Sequence, residues 1–225
     1  MIKILHTSDT HSRMTEEKAL ILKSQNADLV FDSGDIIKSG NIDFNIFGEK
    51  AWSVYNGVYD VISPGNREYH FLKCGFFCKN RGFEMPLVSC NYVYKYDKHL
   101  TVPYVYFNIK GVKVGVLGVS NINIDKSMNC HKIAAQYQKD IFESATETLD
   151  KMKCDFIVAL THIGLPKDRI LAEKCPKINL ILGGHSHDYS TEKVGNTYIV
   201  HSGAYGQHYS EIVIDDTLSV WQKDF

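Results

Sequence analysis

The stretch Ile2-Lys3-Ile4-Leu5-His6-Thr7-Ser8-Asp9-Thr10-His11 decides how the chain is read. Ile2 to Leu5 is an apolar run that reads as a buried strand, and Asp9 and His11 follow just past its end. A carboxylate and an imidazole two residues apart point at one spot if the backbone stays extended. The carboxyl edge of a sheet is where α/β proteins keep their ligands, so the pair is a way to seat a metal there. Asp-x-His by itself is unspecific. Its weight comes from the rest of the chain, which repeats the arrangement.

Working outward, residues 28–32 (Asp-Leu-Val-Phe-Asp) read as the next strand, and Ser33-Gly34-Asp35 closes it. Tyr59–Ser63 is a short strand ended by Pro64-Gly65-Asn66. Strand Asp155–Thr161 runs into His162, and strand Ile178–Leu182 into Gly183-Gly184-His185-Ser186-His187. If these strand ends converge, they bring together two carboxylates (Asp9, Asp35), four imidazoles (His11, His162, His185, His187) and the amide oxygen of Asn66. That is more than one metal ion uses, and two ions can share the set if a carboxylate bridges them. Paired metals ~3.5–4 Å apart suit in-line displacement at phosphorus. Glycines beside Asp35, Asn66 and His185 let the backbone turn tightly around the ions.

Between these ends the pattern predicts helices over 15–25 (capped by Thr15, with Ala19, Leu20 and Leu22 on one face), 46–56 (Phe47, Ala51, Trp52 and Tyr55 inward), 68–80, 132–152 and 167–174. Further strands are expected at 85–91, at 102–109 and 112–120 joined by Lys110-Gly111, and at 197–201, 210–214 and 218–222. Strand–helix alternation in both halves, with antiparallel pieces in the middle and at the end, predicts an α/β layered sandwich of mixed sheets, in one domain spanning 1–225.

Composition sets the bounds. Hydrophobic residues are 44% of 225, enough for a sizeable core. Lys+Arg is 25 against Asp+Glu 26, a net charge of -1, so bulk charge argues against binding to a nucleic-acid backbone or an anionic membrane and leaves room for a local site for one phosphate. No apolar run approaches the ~18 residues of a membrane span. Met1 leads into the first strand without a basic region or a cleavage site, so the reading expects a cytoplasmic protein with free thiols at its six cysteines.

The set Ser8-Asp9-Thr10-His11, Gly34-Asp35, Gly65-Asn66, Thr161-His162 and Gly184-His185-Ser186-His187 resembles the calcineurin-like metallophosphoesterases. Ile4-Leu5-His6-Thr7, and the chain from Gly195-Asn196-Thr197 onward, bring it nearer the catalytic domain of the 5′-nucleotidase / 2′,3′-cyclic phosphodiesterase branch. The resemblance implies a four-layer αββα sandwich, two mixed sheets flanked by helices. It implies two divalent metal ions, with Mn, Fe, Zn, Co or Ni all suited to such ligands. Asp9, His11 and His187 would hold one and Asn66, His162 and His185 the other, with Asp35 bridging them. A hydroxide between the ions would be the nucleophile. The substrate implied is a small phosphate ester, a monoester such as a nucleotide first and a phosphodiester, cyclic nucleotides included, second. A metal-holding binding module without catalysis is the contrasting class.

The chain departs from that family where Gly-Asn is usually followed by a catalytic His with an orienting Asp three residues on. Here the order is Gly65-Asn66-Arg67-Glu68-Tyr69-His70. Arginine binds phosphate oxygens bidentately and does not give up its proton near neutral pH. If this segment is helical, Arg67 and His70 share a face. The expectation is then that Arg67 clamps the phosphoryl group and His70 supplies a proton, the alternative being a His70 that serves only the helix. Asn66, Arg67 and His201 are the substrate-contact candidates, with the loop 38–45, the tyrosines of 92–96 and the segment 202–208 as further ones. His201 is weighed equally as a structural residue. His208 reads as a surface residue within reach of the pocket, and His6, His99 and His131 as structural or exposed.

Overall fold

The computed structural model describes residues 1–40, 43–70, 72–94, 101–121 and 136–225. Two mixed sheets make its body. The first runs β13-β12-β1-β2-β3, from β1 (Ile2–Thr7), β2 (Leu29–Asp32), β3 (Val61–Ile62), β12 (His208–Ile214) and β13 (Leu218–Asp224). The second runs β10-β11-β9-β8-β6-β5, from β5 (Tyr104–Ile109), β6 (Val112–Ser120), β8 (Phe156–His162), β9 (Leu180–Gly183), β10 (Tyr189–Val194) and β11 (Thr197–Ser202). A separate antiparallel pair joins β4 (Tyr92–Tyr94) to β7 (Gln136–Gln138).

Strand periodicity sorts the side chains into layers. Ile4, Leu29 and Phe31 of the first sheet meet Val116, Val158, Leu160, Leu182 and Val200 of the second in one buried cluster, so the sheets pack face to face. Their alternates point outward. Leu5 and Val30 join Leu22 of α1 (Glu16–Ser24), Trp52 and Tyr55 of α2 (Ala51–Tyr55) and Phe76 of α3 (Lys73–Lys79). Leu117, Ala159, Ile181 and Ile199 join Ala145 and Leu149 of α4 (Ile141–Leu149) and Leu171 of α5 (Leu165–Lys174). The expected αββα sandwich is therefore present.

Several elements differ from expectation, each for a local reason. The helix expected over 46–56 is only the five-residue α2, and Phe47 is 81% exposed rather than inward. Within 132–152 the described part holds β7 and then α4. Asp140 starts that helix, its carboxylate accepting Phe142 N–H (3.0 Å) and Glu143 N–H (2.9 Å). The helix expected from Glu68 begins only at Lys73. In place of a strand over 85–91, Leu87 and Val88 make single bridges, to Ile62 and Val102. Thr15 caps α1 as expected, with Leu20 facing solvent. Strand β10 had no apolar signal because it is an edge strand with alternately exposed positions. Lys110 and Gly111 both take positive φ, 51° and 83°, as the twist of a two-residue hairpin requires. His99, His131 and Cys130 lie outside the described residues.

Candidate metal centre

β1, β2 and β3 are parallel, as are β6, β8, β9 and β11, so their carboxyl ends gather on one edge of the sandwich. The segment 9–12 leaves β1 differently from the expectation. It is not extended: Asp9, His11 and Ser12 take φ of 51°, 46° and 61°. It runs beside the loop after β2, with Asp9 N–H on Gly34 O (2.9 Å), His11 N–H on Asp35 O (2.9 Å) and Ser12 N–H on Ile36 O (2.5 Å). These bonds offset the cost of left-handed backbone at non-glycine residues. They also bind the two acidic loops into one unit.

The side chains then gather at this edge. The ligand atoms of Asp9, His11 and His187 lie within 4.8 Å of one another, and so do those of Asp9, Asp35 and His162. His11 Nε2 is 3.3 Å from His187 Nε2, which is 3.5 Å from Asp9 Oδ1. Beside the second group, His185 Nδ1 is 3.0 Å from Asn66 Oδ1, and the His185 ring packs edge-on against His162 at 5.1 Å. Asp9 also accepts the backbone N–H of His185 on both oxygens, at 3.1 and 3.0 Å, which ties the His185-Ser186-His187 turn to the first strand.

His162 tests whether these residues fit a cation. Its ring is fully buried, and Nδ1 lies 2.6 Å from Ser33 O, so Nδ1 carries the proton. Nε2 has no hydrogen-bond partner and faces Asp35 Oδ1 at 3.4 Å and Asp9 Oδ1 at 4.0 Å. Left neutral, the ring would set a bare lone pair against two buried carboxylates, which is unfavourable, so a positive charge belongs there, either a proton on Nε2 or a cation between the groups. Burial opposes a charge on the ring, yet the carboxylates of Asp35 and Asp9 prevail and push His162 up to about 10. Burial likewise works against Asp35, but the charge of His162 beside it and the Arg67 N–H hold Asp35 down to about 2. His185, buried and beside His162, is lowered to about 4 and is therefore a neutral donor. Imidazole, carboxylate and amide donors in this arrangement suit divalent transition metals.

Two carboxylates that sequence reading passed over hold the loops. Glu68, fully buried, accepts Asp35 N–H (2.9 Å) and Gly65 N–H (2.8 Å) on Oε2, and Ile36 N–H (2.9 Å) and Ile37 N–H (3.3 Å) on Oε1. Asp32, also fully buried, takes the hydroxyls of Thr7 (2.6 Å) and Tyr55 (3.3 Å) and Gly34 N–H (2.7 Å). Burial raises Asp32 well above the usual carboxylate range. Both sit in the motif segments, but a buried carboxylate whose partners are backbone N–H groups and distant hydroxyls leaves no spacing signature.

A cleft of about 450 Å³ opens over the centre. Asp35, Asn66, His11, His185 and His187 line its floor, and Arg67, Lys38, Arg13 and Tyr205 its rim. Arg67, expected as a substrate contact, lines this cleft. Its backbone N–H holds Asp35 Oδ1 at 2.7 Å. His70 is not in the cleft, and this corrects the expectation of a proton donor there. The helix that would have put it on the Arg67 face is absent. His70 is buried instead with Nδ1 accepting Leu72 N–H (3.0 Å), and Phe44 packs edge-on to its ring. His201 is also corrected as a substrate contact: it does not line the cleft, being 1% exposed with Nε2 2.8 Å from buried Asp168 Oδ2. His208 pairs with Asp224 and stacks on Tyr189, away from the cleft. Tyr92 packs in the core against Tyr69 and Phe76. His6 is buried, with Nδ1 on Ser202 Oγ (2.6 Å) and Nε2 on Ser33 Oγ (2.8 Å). Of the loops proposed as substrate contacts, 38–45 contributes Lys38 and 202–208 contributes Tyr205.

A two-sheet sandwich with paired Asp/His groups at its shared strand ends defines a layered α/β protein with a candidate metal centre. More narrowly, the chain belongs to the calcineurin-like phosphoesterase family, whose model matches residues 2–189. It is 26% identical over 285 residues to the trifunctional nucleotide phosphoesterase protein YfkN of Bacillus subtilis, covering 99% of this chain and 19% of that one. It is 27% identical over 224 residues to a 5′-nucleotidase of Vibrio cholerae, covering 83% of this chain and 40% of that one. The chain thus spans less than half the length of these curated relatives. The crystal structure of B. subtilis YfkN superposes with a TM-score of 0.77 at 21% identity, covering 99% of this chain and 90% of that one, a likeness of fold.

Proposed function

We propose that the protein hydrolyses a small phosphate ester, a phosphomonoester such as a nucleotide, at a dinuclear metal centre. The observation that carries this is His162 Nε2, buried and unpartnered, aimed at Asp35 and Asp9 beneath an open cleft. Asp9, His11 and His187 would hold one ion and Asn66, His162 and His185 the other, with Asp35 shared. Divalent cations bound there supply Lewis-acid stabilisation of developing phosphoryl charge and an activated water. Arg67 binds and orients the phosphoryl oxygens as a fixed donor fork. Glu68 and Asp32 keep the loops rigid, and preorganisation of this kind is what makes such a site effective. The 5′-nucleotidase relatives support the nucleotide reading.

One observation favours a second reading. With His70 turned into α3 and Arg67 at the rim, the lining imidazoles among the described residues all belong to the proposed metal set, which leaves none of them as a separate acid for a poor leaving group. Phosphodiesters and cyclic nucleotides with better or strained leaving groups are therefore the runner-up substrates. The test is a hydrolysis panel with Mn²⁺, Zn²⁺, Fe²⁺ or Co²⁺, setting nucleoside monophosphates against cyclic nucleotides and bis(p-nitrophenyl) phosphate, with Asp35→Asn as the blank. Phosphate release from monoesters, absent in the blank, is expected. Cleavage of diesters alone supports the runner-up. No hydrolysis with two ions bound per chain points to a binding role.

A further inference from the structure

The rim of the cleft carries more positive charge than one phosphate uses. Arg13, Lys38 and Arg67 line it together with a single carboxylate, Asp35, which the metal role already takes. The chain as a whole has a net charge of -1, so this concentration is local. Scattered surface cations would be the plain explanation, but these three are strung on one connected backbone. Lys38 N–H donates to Ser12 Oγ (3.1 Å), next to Arg13, and Arg67 Nη1 donates to Lys38 O (3.3 Å). Arg13 is held in place by the Tyr205 ring, its guanidinium carbon 4.6 Å from the ring centroid. Tyr205 is itself fixed to the centre. Its N–H donates to Asp9 O (2.8 Å), and its ring packs against His11 and His187 at 5.3 and 5.1 Å. Among the described residues no carboxylate pairs with Arg13 or Lys38, and the Arg67 Nε stands 4.0 Å from Asp35 Oδ2 without a hydrogen-bond partner.

We propose that Arg13 and Lys38, continuing the arc begun by Arg67, form a subsite for a second phosphate group, so that the preferred substrate is a bisphosphate or a diphosphate ester rather than a simple monophosphate. The inference rests on the phosphoesterase reading above and deepens it. Arg67 faces the phosphoryl group over the centre. Arg13 and Lys38 lie further along the rim and meet the second anion, where each charge-assisted contact adds affinity for an oxygen that a monophosphate lacks.

The experiment is calorimetric binding of inorganic phosphate and inorganic pyrophosphate to the Mn²⁺-loaded protein, with manganese content measured before and after titration. Wild type, Arg13→Gln/Lys38→Gln and Arg13→Lys/Lys38→Arg are compared. Wild type is expected to bind pyrophosphate at least about tenfold more tightly than phosphate. The neutral double variant should bring that ratio below about threefold, and the charge-conserving one should restore most of it. Both substituted side chains are exposed, so folding should be unaffected, which a thermal melt verifies. Equal affinity in wild type, or a ratio unchanged in the neutral variant, overturns the second-phosphate subsite while leaving the phosphoesterase reading standing. If wild type binds neither anion, or Asp35→Asn binds both as well as wild type, the underlying reading falls and the subsite with it.

Discussion

Glu68 holds the backbone of Asp35: its Oε2 accepts the Asp35 N–H at 2.9 Å and, on the same oxygen, the Gly65 N–H at 2.8 Å. One buried carboxylate therefore fixes the loop after β2 to the loop after β3, and with them two of the proposed metal ligands, Asp35 and Asn66. Glu68→Gln keeps the volume but turns an N–H₂ group toward backbone donors. About 2–4 kcal/mol of stability and about 10–100-fold in metal affinity should be lost. Urea unfolding and a metal titration measure both, and an unchanged midpoint with full metal loading would remove Glu68 from this role.

Gly65 marks the closest approach of the two loops. A Cβ there would press on Asp35 Oδ1 and come within 2.8 Å of His162 Cε1. Gly65→Ala should spread the second metal group and reduce metal content toward one ion per chain, with a modest fall in melting temperature. Elemental analysis reads this directly, and two ions retained in the variant would show that the loops yield without harm.

Arg67 and His70 separate binding from proton supply. Arg67→Ala should raise KM for a phosphate ester about 10–100-fold, since a charge-assisted bidentate contact is lost while Asp35 keeps its backbone bond. His70→Ala should leave kcat within about twofold and cost about 1–3 kcal/mol of stability, because Leu72 N–H loses its buried acceptor. A large kcat loss in His70→Ala without destabilisation would return His70 to the chemistry. Arg67→His should speed turnover of esters with poor leaving groups if proton supply limits them.

Acid sensitivity should come partly from His6. Burial, with a further contribution from His201, lowers it to about 3 from 6.5, so the folded state keeps it neutral. The unfolded chain binds a proton there below about pH 6.5 and the folded one does not. Stability from this group is thus complete above pH 6.5 and falls as pH drops toward 3, by about 2 kcal/mol between pH 7.5 and pH 5. Imidazole NMR shifts of His6 should stay neutral down to about pH 4. A midpoint near 6.5 in the folded protein would contradict this.

Much of the fold and of the metal set was legible because both depend on local rules. Short apolar runs such as Ile2–Leu5 and Phe156–Leu160 mark buried strands by their length and composition, and the residues just past each strand end must gather at one edge once the strands run parallel. The proposed ligands Asp9, His11, Asp35, Asn66, His162, His185 and His187 were picked out on that ground and by their order in the chain. Contacts between distant segments carry no such period. The route of Asp9 and His11 through left-handed backbone depends on bonds to Gly34 and Asp35. The roles of Glu68 and Asp32 depend on which backbone N–H groups a turn leaves open. Whether Arg67 and His70 share a face depended on a helix that the turn at 66–68 replaces. The sequence by itself therefore determined the layers, the strand ends and the ligand types, since periodicity and residue chemistry are properties of short stretches. Only the tertiary structure decided that Arg67 reaches the cleft while His70 and His201 do not, and that Arg13, Lys38 and Tyr205 complete its rim, because the packing of loops from both sheets sets which side chains face one cavity.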